Sequence, residues 1–550
     1  MSIPARRPQS PFTAPLVACA LLYGGWYVTE SYMQWYAWGL GAMGLGFAVL
    51  IKALLLFIGS SFHTAQQIDM LRESRKLSYA FGHARLALKD DPFVKALAAN
   101  RRGIFLGAIE GLPLFYDPFA PKNGHMLCYA PSRTGKTTSF VIPALLFWFS
   151  GSVVVTDTKV ELTDKSVAHR RAMGGRVLLL DPLGASGLPC ARFNPLRVLV
   201  DDILKNQGKG LSTLSRMIAY QLIVEPARDV GDGRFFRSGA RRLLITFLLY
   251  MAAFTPGECS LPTLRRHIWS SSEDKFAVTQ KTRGASWFAG LLQDYGNMLA
   301  DLLDPQYIKT YGAFRGNAME ALEIYDAHSD LGRSMQESDF ALPDILDGKT
   351  TLYIILPESK LKTHGSWQGL IVTLLFEAIA SAKKSSRVLM TLEEMGNLGR
   401  IPNIKKALSL LPGKGVRCAM VFQSRKQPVE IYGPEITHII EEQSSCLQAW
   451  SIRSLDDRKA WSARIGTTTK KARSLSRDPH DTHAPWRLSV NERAAAVLSD
   501  DEISRLPGDK QLIAIDGQPV ILATKVSYFS VPSWKRLAAP SGVQQNRRAG

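Results

Sequence analysis

The sequence predicts an α/β fold built on a parallel sheet, preceded by two membrane-spanning helices. Three features support this prediction: two largely uncharged stretches near the N-terminus, an apolar run that leads into Gly135-Lys136-Thr137, and a later apolar run that ends in Glu393-Glu394. Strands of a parallel sheet are buried on both faces and therefore appear as continuous apolar runs. A helix that crosses a bilayer needs ~20 apolar residues.

The overall composition is that of a folded protein with an excess of positive charge. Of the 550 residues, 46% are hydrophobic and 21% are charged, which excludes an intrinsically disordered chain. The length predicts about two to four domains. The net charge of +19 favours polyanionic partners, nucleic acid or anionic lipid, although membrane proteins are also often basic. Six cysteines without a Cys-x-x-Cys pair argue against a zinc ribbon or a disulfide framework.

Two N-terminal stretches, residues 13–29 and 35–58, are predicted to span a membrane as a helical hairpin. The second contains one charged residue, Lys52, whose ammonium group can reach the interface along its own aliphatic stem. Basic residues precede the first stretch and follow the second, which places both flanks in the cytoplasm. A secretory signal peptide is the alternative for the first stretch, and the second stretch argues against it.

Residues 126–150 are typical of a phosphate-binding loop between a strand and a helix. Residues 126–130 form an apolar run that predicts the strand, and residues 138–150 predict the helix. Backbone N–H groups of such a loop and of the helix N-terminus bind an anion. We expect Lys136 to contact the β- and γ-phosphates of ATP and the Thr137 hydroxyl to bind Mg²⁺. The predicted nucleotide-binding residues are Ala130, Pro131, Ser132, Arg133, Thr134, Gly135, Lys136, Thr137 and Thr138.

Ala130 departs from the loop pattern, because it stands where G-x-x-x-x-G-K-[ST] has its first glycine. A methyl group at this position would penalise a positive φ, so a reduced nucleotide affinity is expected. A chance Gly-Lys-Thr is the alternative, and the matching strand and helix on either side argue against it.

Glu393 and Glu394 are predicted to complete the site. They follow the apolar run 388–392, and carboxylates at the end of a parallel strand lie where open α/β sheets bind ligands. We expect Glu393 to contact Mg²⁺ and Glu394 to polarise the attacking water. Aspartate is commoner at the first position, so the longer Glu393 alters the expected metal geometry. A pair of helix-capping glutamates on a solvated face is the alternative.

Gln423 follows a third predicted strand, residues 418–422. A glutamine at this position can sense the γ-phosphate or position a water molecule. An ordinary polar residue at a strand end fits the sequence equally well. The predicted catalytic residues are thus Lys136, Glu394 and Gln423, and the predicted Mg²⁺ ligands are Thr137 and Glu393.

In this order, the motifs and their surroundings resemble the type IV secretion coupling proteins, the TraG/TraD-like ATPases of bacterial conjugation. The family's D-P-K-G-E-like turn corresponds to residues 157–161, where Thr158 and Val160 replace Pro and Gly. The resemblance covers residues from about 77 to 528 together with the anchor. The five similar stretches are 152–171, 192–196, 393–404, 415–427 and 497–521.

The resemblance implies a RecA-like P-loop NTPase domain interrupted by an inserted all-α domain. The helical period of residues 241–254 agrees with such an insertion. The expected organisation is a membrane anchor at 1–75, the first part of the nucleotide-binding domain at 76–205, the all-α domain at 206–340, the second part of the nucleotide-binding domain at 341–535, and a disordered tail at 536–550.

The resemblance also implies an ATPase of the bacterial inner membrane, with ATP and Mg²⁺ as cofactors and a homohexameric ring as its assembly. Such an ATPase recruits single-stranded DNA bound to a relaxase and delivers it to the channel components of a type IV secretion system. Lys414 and Arg417 are the candidates for a cation that reaches the nucleotide of a neighbouring subunit. The alternatives are an ATP-dependent receptor for protein effectors, a catalytically inactive scaffold and a chromosome-segregation translocase.

Overall fold

The computed structural model describes most of the chain, and its described residues divide into two compact units. One unit contains the described residues up to His83 together with Thr467–Ala495. The other contains Ala84–Gly466 and the described residues from Ala496 onward. The residues described are 19–24, 26, 40–55, 80–101, 103–148, 150–226, 233–382, 386–401, 404–476 and 487–538.

The first unit contains two helical segments near the N-terminus, at residues 19–24 and 40–55. The segments approach each other closely: a Cβ placed on Gly46 would lie only 2.7 Å from Cγ of Leu22. A glycine permits this approach because it has no side chain to displace the neighbouring residue.

The membrane spans predicted at 13–29 and 35–58 extend beyond the described residues at both of their ends. Among the helices that the structure does describe, none is long and apolar enough to cross a membrane. The anchor therefore stays a prediction.

Thirteen described strands form one sheet of eleven strands and one sheet of two. The strands are β1 (Ile104–Ile109), β2 (Leu112–Tyr116), β3 (His125–Tyr129), β4 (Ser152–Asp157), β5 (Val177–Leu180), β6 (Thr351–Ile355), β7 (Val388–Leu392), β8 (Val416–Phe422), β9 (Ser444–Trp450), β10 (Thr467–Ser476), β11 (Arg487–Ala496), β12 (Lys510–Ile515) and β13 (Ile521–Thr524). The two-stranded sheet pairs β10 with β11.

The large sheet has the spatial order β2-β1-β13-β12-β9-β3-β8-β7-β4-β6-β5. From β9 to β5 all neighbouring strands are parallel, and the four strands beyond β9 add to it in antiparallel fashion. Parallel strands share one carboxyl edge, so the residues that follow β3, β4, β7 and β8 meet there.

Both faces of the parallel strands are covered by apolar side chains. Leu127 of β3 and Val154 of β4 belong to the core on one face. Met126, Cys128 and Val153 belong to the core on the other face. This double burial explains why the strands appear in the sequence as continuous apolar runs rather than as alternating patterns.

Eighteen α-helices lie in the parts of the second unit that the structure describes. They are α1 (Pro92–Ala99), α2 (Ile142–Phe147), α3 (Glu161–Ala172), α4 (Arg197–Asn206), α5 (Leu211–Leu222), α6 (Gly233–Phe254), α7 (Leu261–Trp269), α8 (Ser272–Arg283), α9 (Leu291–Leu303), α10 (Ile308–Leu322), α11 (Asp330–Ser334), α12 (Leu361–Ser381), α13 (Ile404–Leu410), α14 (Lys426–Tyr432), α15 (Pro434–Glu442), α16 (Leu455–Ile465), α17 (Asp500–Ser504) and α18 (Pro532–Leu537).

Helices α4 to α11 follow one another without a strand among their described residues. Their buried side chains, such as Leu243 of α6 and Leu299 of α9, belong to the same core as Leu127 of β3. This helical region therefore packs on one face of the sheet, and its boundaries as a separate domain at 206 and 340 stay a prediction. At the other end of the unit α18 runs to Leu537 and Ala538 is buried, while residues 539–550 of the predicted tail lie outside the described residues.

Candidate nucleotide-binding site

The predicted loop begins at the carboxyl end of β3, in the middle of the parallel strands. The N–H of Ala130 donates to the carbonyl of Phe422 (2.9 Å) and so continues the pairing of β3 with β8. Ala130 is buried and its φ is negative, whereas the positive φ values of the loop occur at Arg133 (64°) and Gly135 (87°). The expected conformational penalty at Ala130 is therefore wrong, because the backbone there lacks the positive φ that would disfavour a methyl group.

The helix after the loop begins with a π-helical turn, Thr137–Val141, and continues as α2. This differs from the continuous α-helix that the sequence predicts at 138–150. The N–H of Ile142 donates to the carbonyl of Thr137, five residues back. Pro143 has no N–H to donate to Ser139, so an ordinary helical bond cannot form there and the wider turn is favoured.

Lys136 and Glu394 form a buried ion pair at the carboxyl edge of the sheet, between Nζ and Oε1. The other carboxylate oxygen, Oε2, accepts from Nε2 of Gln423 and from Nδ2 of Asn397, both at 3.0 Å. Burial alone would raise the pKa of Glu394, but the hydrogen bond and the charge of Lys136, together with Gln423, outweigh it and hold that pKa below its ordinary value. The structure thus brings all three predicted catalytic residues together.

Glu393 lies beside the first residue of the helix. Its Oε1 accepts a hydrogen bond from Oγ1 of Thr137 at 2.6 Å. Its Oε2 is buried and has no hydrogen-bond partner among the described residues. Burial raises the pKa of Glu393 to about 7, Thr137 and Lys136 oppose this shift, and the nearby Asp157 and Glu394 reinforce it. A divalent cation would satisfy the free oxygen and stabilise the charged form, so Thr137 and Glu393 fit a Mg²⁺ site.

Asp157 ends β4 at the same edge, and its role in shaping the site was not predicted. Its Oδ2 accepts from the N–H (2.8 Å) and the hydroxyl (2.7 Å) of Thr163, and its Oδ1 accepts from the N–H of Lys159 (3.1 Å). Burial nevertheless raises its pKa. Asp157 therefore organises the turn into α3 and adds a nearby carboxyl group to the surroundings of Glu393.

A cleft of about 790 Å³ opens beside the beginning of the loop. It lies between Pro131 and Ser132 on one side and the residues that follow β8 and β9 on the other. Gln423 contributes to its wall and also donates to Glu394, so the cleft directly borders one of the three predicted catalytic residues. The rest of the lining includes the cationic and aromatic side chains of Arg425, Lys426, Trp450, Arg453 and Trp461, together with the acidic Asp456 and Asp457.

A family model described as type IV secretory system conjugative DNA transfer matches residues 88–548. The chain belongs to this family. The resemblance to type IV secretion coupling proteins is therefore confirmed. The chain is 26% identical over 422 residues to the type IV secretion system-coupling protein VirD4 of Bartonella quintana, across 74% of this chain and 63% of that protein. It is 23% identical over 579 residues to the conjugal transfer protein TraG of Escherichia coli, across 94% of this chain and 87% of that protein.

Solved structures of the conjugative coupling protein TrwB have the same fold. The unbound form matches with a TM-score of 0.60 at 13% identity, over 81% of this chain and 93% of TrwB. The complex of TrwB with ADP and Mg²⁺ matches with a TM-score of 0.59 at 13% identity, over 81% of this chain and 94% of that one. This likeness and the mixed sheet assign the chain to the α/β RecA-like NTPase folds.

Val160 occupies the position where the coupling family usually has glycine, and the backbone explains that preference. Val160 precedes α3 with φ 62° and ψ 0°, in the left-handed region. A β-branched residue is strained there because its Cβ crowds the following carbonyl. The turn that follows Asp157 therefore keeps its conformation despite the backbone strain at Val160.

Lys414 and Arg417 lie away from the loop of their own chain. Lys414 precedes β8 and Arg417 is its second residue, so both lie at the amino end of that strand, whereas the loop lies at the carboxyl edge of the sheet. Nζ of Lys414 donates to the carbonyl of Ala382 (2.9 Å), and the guanidinium of Arg417 donates to the carbonyls of Pro118 (2.8 Å) and Pro412 (2.9 Å). The structure does not bring them to this site, and their action on a neighbouring subunit stays a prediction.

Lys525 and Ser527 contact the loop region and were missed from the sequence. Nζ of Lys525 donates to the carbonyl of Thr134 (3.1 Å), and Oγ of Ser527 lies 2.9 Å from Oγ of Ser139. The resemblance to the coupling family extends to about residue 528, but its last similar stretch ends at residue 521, and no local pattern links Lys525 or Ser527 to a loop 391 positions away. Strand order brings them together, because β13 continues the sheet beyond β12 and β9.

Proposed function

We propose that the chain is a membrane-anchored ATPase that recruits a DNA–relaxase complex to a type IV secretion channel and powers its transfer by ATP hydrolysis. The single observation that supports this most is the convergence of Lys136, Glu394 and Gln423 on one point beside the loop. Family membership and the curated relatives, which are named as coupling and conjugal transfer proteins, support the same function.

ATP binds at the loop in this proposal, and Mg²⁺ is held by Thr137 and Glu393. Mg²⁺ held there would neutralise the charge that develops on the phosphate oxygens as the γ-phosphoryl group passes to water and ADP leaves. The ammonium group of Lys136 turns from Glu394 toward the β- and γ-phosphates. Glu394 then accepts a proton from the attacking water, and Gln423 orients that water and keeps its hydrogen bond to the carboxylate.

Assembly follows the expectation for the family: a homohexameric ring that places a cation from one subunit at the nucleotide of the next. Such a cation is worth about 10³–10⁵-fold in rate in GTPases that have one. Lys414 and Arg417 are the proposed candidates. Arg417 would have to give up its bonds to four carbonyls of its own chain, so Lys414, with one such bond, is the less costly choice.

The anchor places the protein in the bacterial inner membrane, with helices at 13–29 and 35–58 and most of the chain in the cytoplasm. The contact between Leu22 and Gly46 supports a helical hairpin, because small residues let membrane helices approach closely. The net charge of +19 supports single-stranded DNA as the cargo, held through its phosphates without reading of its sequence.

An ATP-dependent receptor for protein effectors is the second candidate, and Glu393 is the observation that favours it. A carboxyl group with a pKa raised to about 7 binds Mg²⁺ less well at neutral pH than an ordinary carboxylate. Slow hydrolysis would suit a protein in which ATP serves for assembly and protein effectors occupy the channel entrance.

ATP turnover of the full-length protein in detergent, with and without single-stranded DNA, tests the proposal. We expect turnover that rises with DNA and is abolished in Lys136→Ala. Turnover that ignores DNA, or nucleotide binding without turnover, would favour the effector receptor. The exposed Lys535 provides the matched control, because Lys535→Ala also removes one positive charge and should leave turnover unchanged.

A further inference from the structure

The chain after β13 runs along the outer side of the loop and of the helix that follows it. We call residues 525–537 the C-terminal strap. It touches the loop at Thr134 through Lys525, the π-helical turn at Ser139 through Ser527, and the end of α2 through Trp534. The ring of Trp534 lies 4.8 Å from that of Phe147 and 4.8 Å from that of Phe105. One short segment thus contacts the phosphate-binding unit along its whole length.

The contact of Lys525 determines how one peptide group of the loop is oriented. Its Nζ donates to the carbonyl of Thr134 at 3.1 Å. The Thr134–Gly135 peptide is trans, because the described residues contain no cis peptide bond. In a trans peptide the N–H points away from the C=O. A carbonyl held by Lys525 therefore directs the N–H of Gly135 to the opposite side.

The N–H of Gly135 belongs to the part of the loop with unusual backbone angles. Arg133 and Gly135 both have positive φ, and alternation of left- and right-handed residues makes successive N–H groups converge on an anion. The hydroxyl of Thr134 adds a further restraint by donating to the carbonyl of Pro131 at 2.7 Å. Lys525 thus holds from outside a loop whose conformation costs energy.

The surroundings of Lys525 hold its ammonium group in place. Nζ lies 4.8 Å from the centre of the Trp450 ring, which is almost fully buried. No carboxylate of the described residues lies within ion-pair distance of Nζ. Burial lowers the pKa of Lys525, and the charge of Asp509 acts on it from beyond contact distance. No contacting carboxylate cancels its positive charge, which adds to the attraction that Lys136 exerts on a phosphate group.

We propose that Lys525 is a positioning residue for the triphosphate of ATP, acting through the carbonyl of Thr134 and by its charge. This inference rests on the proposed nucleotide site and goes beyond it, because it makes nucleotide affinity depend on the C-terminal strap. Ser527 and Trp534 keep the strap in place along the helix. Lys525 itself touches the loop from its outer side and takes no part in proton transfer.

The full-length protein in detergent provides the test, with Lys525→Met, Lys525→Arg and the control Lys535→Met. Lys535 belongs to the same strap and is exposed, so its replacement removes an equal charge away from the loop. We expect Lys525→Met to raise KM for ATP and the Kd of a fluorescent ATP analogue about tenfold, the size of a lost hydrogen bond to a charged group. We expect kcat to stay within about twofold, since the bond contributes to binding and not to the chemical step.

The Lys525→Arg variant distinguishes a positioning role of Lys525 from a general effect of this residue on protein stability. Lys525→Arg should restore most of the affinity, because a guanidinium can still donate to the carbonyl of Thr134, and Lys535→Met should match the wild type. An unchanged Kd in Lys525→Met would overturn the inference while leaving the ATPase proposal intact. An equal loss in the Met and Arg variants, with a lowered melting temperature in both, would also overturn it. A wild type that binds no nucleotide would overturn both proposals.

Discussion

The ammonium group of Lys136 donates to Oε1 of Glu394, so the lysine assigned to phosphate contact and the glutamate assigned to water activation form one buried pair. Their side chains are 4% and 9% exposed. Because an ammonium group that turns toward a phosphate leaves this carboxylate, nucleotide binding and activation of Glu394 are linked through one hydrogen bond.

Replacement of Glu394 by glutamine should separate binding from turnover. We expect turnover to fall by about 10²–10⁴-fold, the usual contribution of a general base. Nucleotide affinity should be kept or increased, since Lys136 no longer has a charged competitor. Steady-state turnover and the Kd of a fluorescent ATP analogue check both parts. Glu435→Gln, at an exposed position of α15, is the control, and loss of nucleotide binding in Glu394→Gln would contradict this account of the pair.

Removal of Lys136 should destabilise the fold as well as the activity. Lys136→Ala leaves Glu394 buried without its cation, which costs about 3–5 kcal/mol of unfolding free energy. Denaturant unfolding of the two single variants and of Lys136→Ala with Glu394→Ala measures the coupling. The double variant should be more stable than the sum of the single losses implies. Strictly additive losses would mean that the ion pair does not exist in solution.

Glu393 should make stability depend on pH in a direction opposite to that of an ordinary salt-bridged carboxylate. Its folded pKa is raised to about 7, above the unfolded value, so the folded state binds the proton more tightly. The contribution of protonated Glu393 to the free energy of unfolding is complete below the unfolded pKa, near 4.5. It is lost as the pH rises through about 7. The loss is on the order of 3 kcal/mol, at 1.36 kcal/mol per pKa unit.

Thermal unfolding between pH 5 and pH 8 checks this dependence. The wild type should lose stability over that interval relative to Glu393→Gln, which cannot ionise. Mg²⁺ with nucleotide should reduce the loss in the wild type, because a cation at the free oxygen stabilises the charged carboxylate. Parallel pH profiles of the two proteins would show that Glu393 titrates at its ordinary pKa.

Val160→Gly should stabilise the protein. The left-handed conformation costs a β-branched residue about 1–2 kcal/mol, and the extra freedom of glycine in the unfolded chain offsets part of the gain. We expect a net increase of up to about 1 kcal/mol in unfolding free energy. The control is Val198→Gly in α4, where the same exchange in an ordinary helix should destabilise. A destabilised Val160→Gly protein would mean that packing of the side chain outweighs the strain.

Single-stranded DNA should bind with a steep dependence on salt. Each neutralised phosphate contributes about −0.7 to the slope of log K against log salt concentration, so roughly six contacts give a slope of about −4. Titrations of the full-length protein at several salt concentrations measure it. An oligomer of the same bases on an uncharged backbone is the control, and equal affinity for both would argue against a path that follows the phosphates.

The sequence alone predicted the main residues of the site, because each of them is marked by a local sequence pattern. The loop 130–138, Glu393-Glu394 and Gln423 each follow an apolar run, and parallel strands bring their carboxyl ends to one edge whatever the rest of the fold does. The family resemblance added the expectation that these motifs belong to one nucleotide-binding domain interrupted by an all-α insertion. The backbone angles could not be predicted in this way: the strain expected at Ala130 is found at Arg133 and Val160.

The sequence by itself determined the parallel α/β core, the phosphate-binding loop and the carboxylates opposite it, because these depend on residues that are neighbours in the chain. Tertiary structure alone decided which of these groups touch. The pair of Lys136 and Glu394 joins residues 258 positions apart, and the bond from Lys525 to Thr134 joins residues 391 apart. Such contacts depend on strand order and on the burial that excludes water from the carboxyl edge, and neither property can be read from a local pattern.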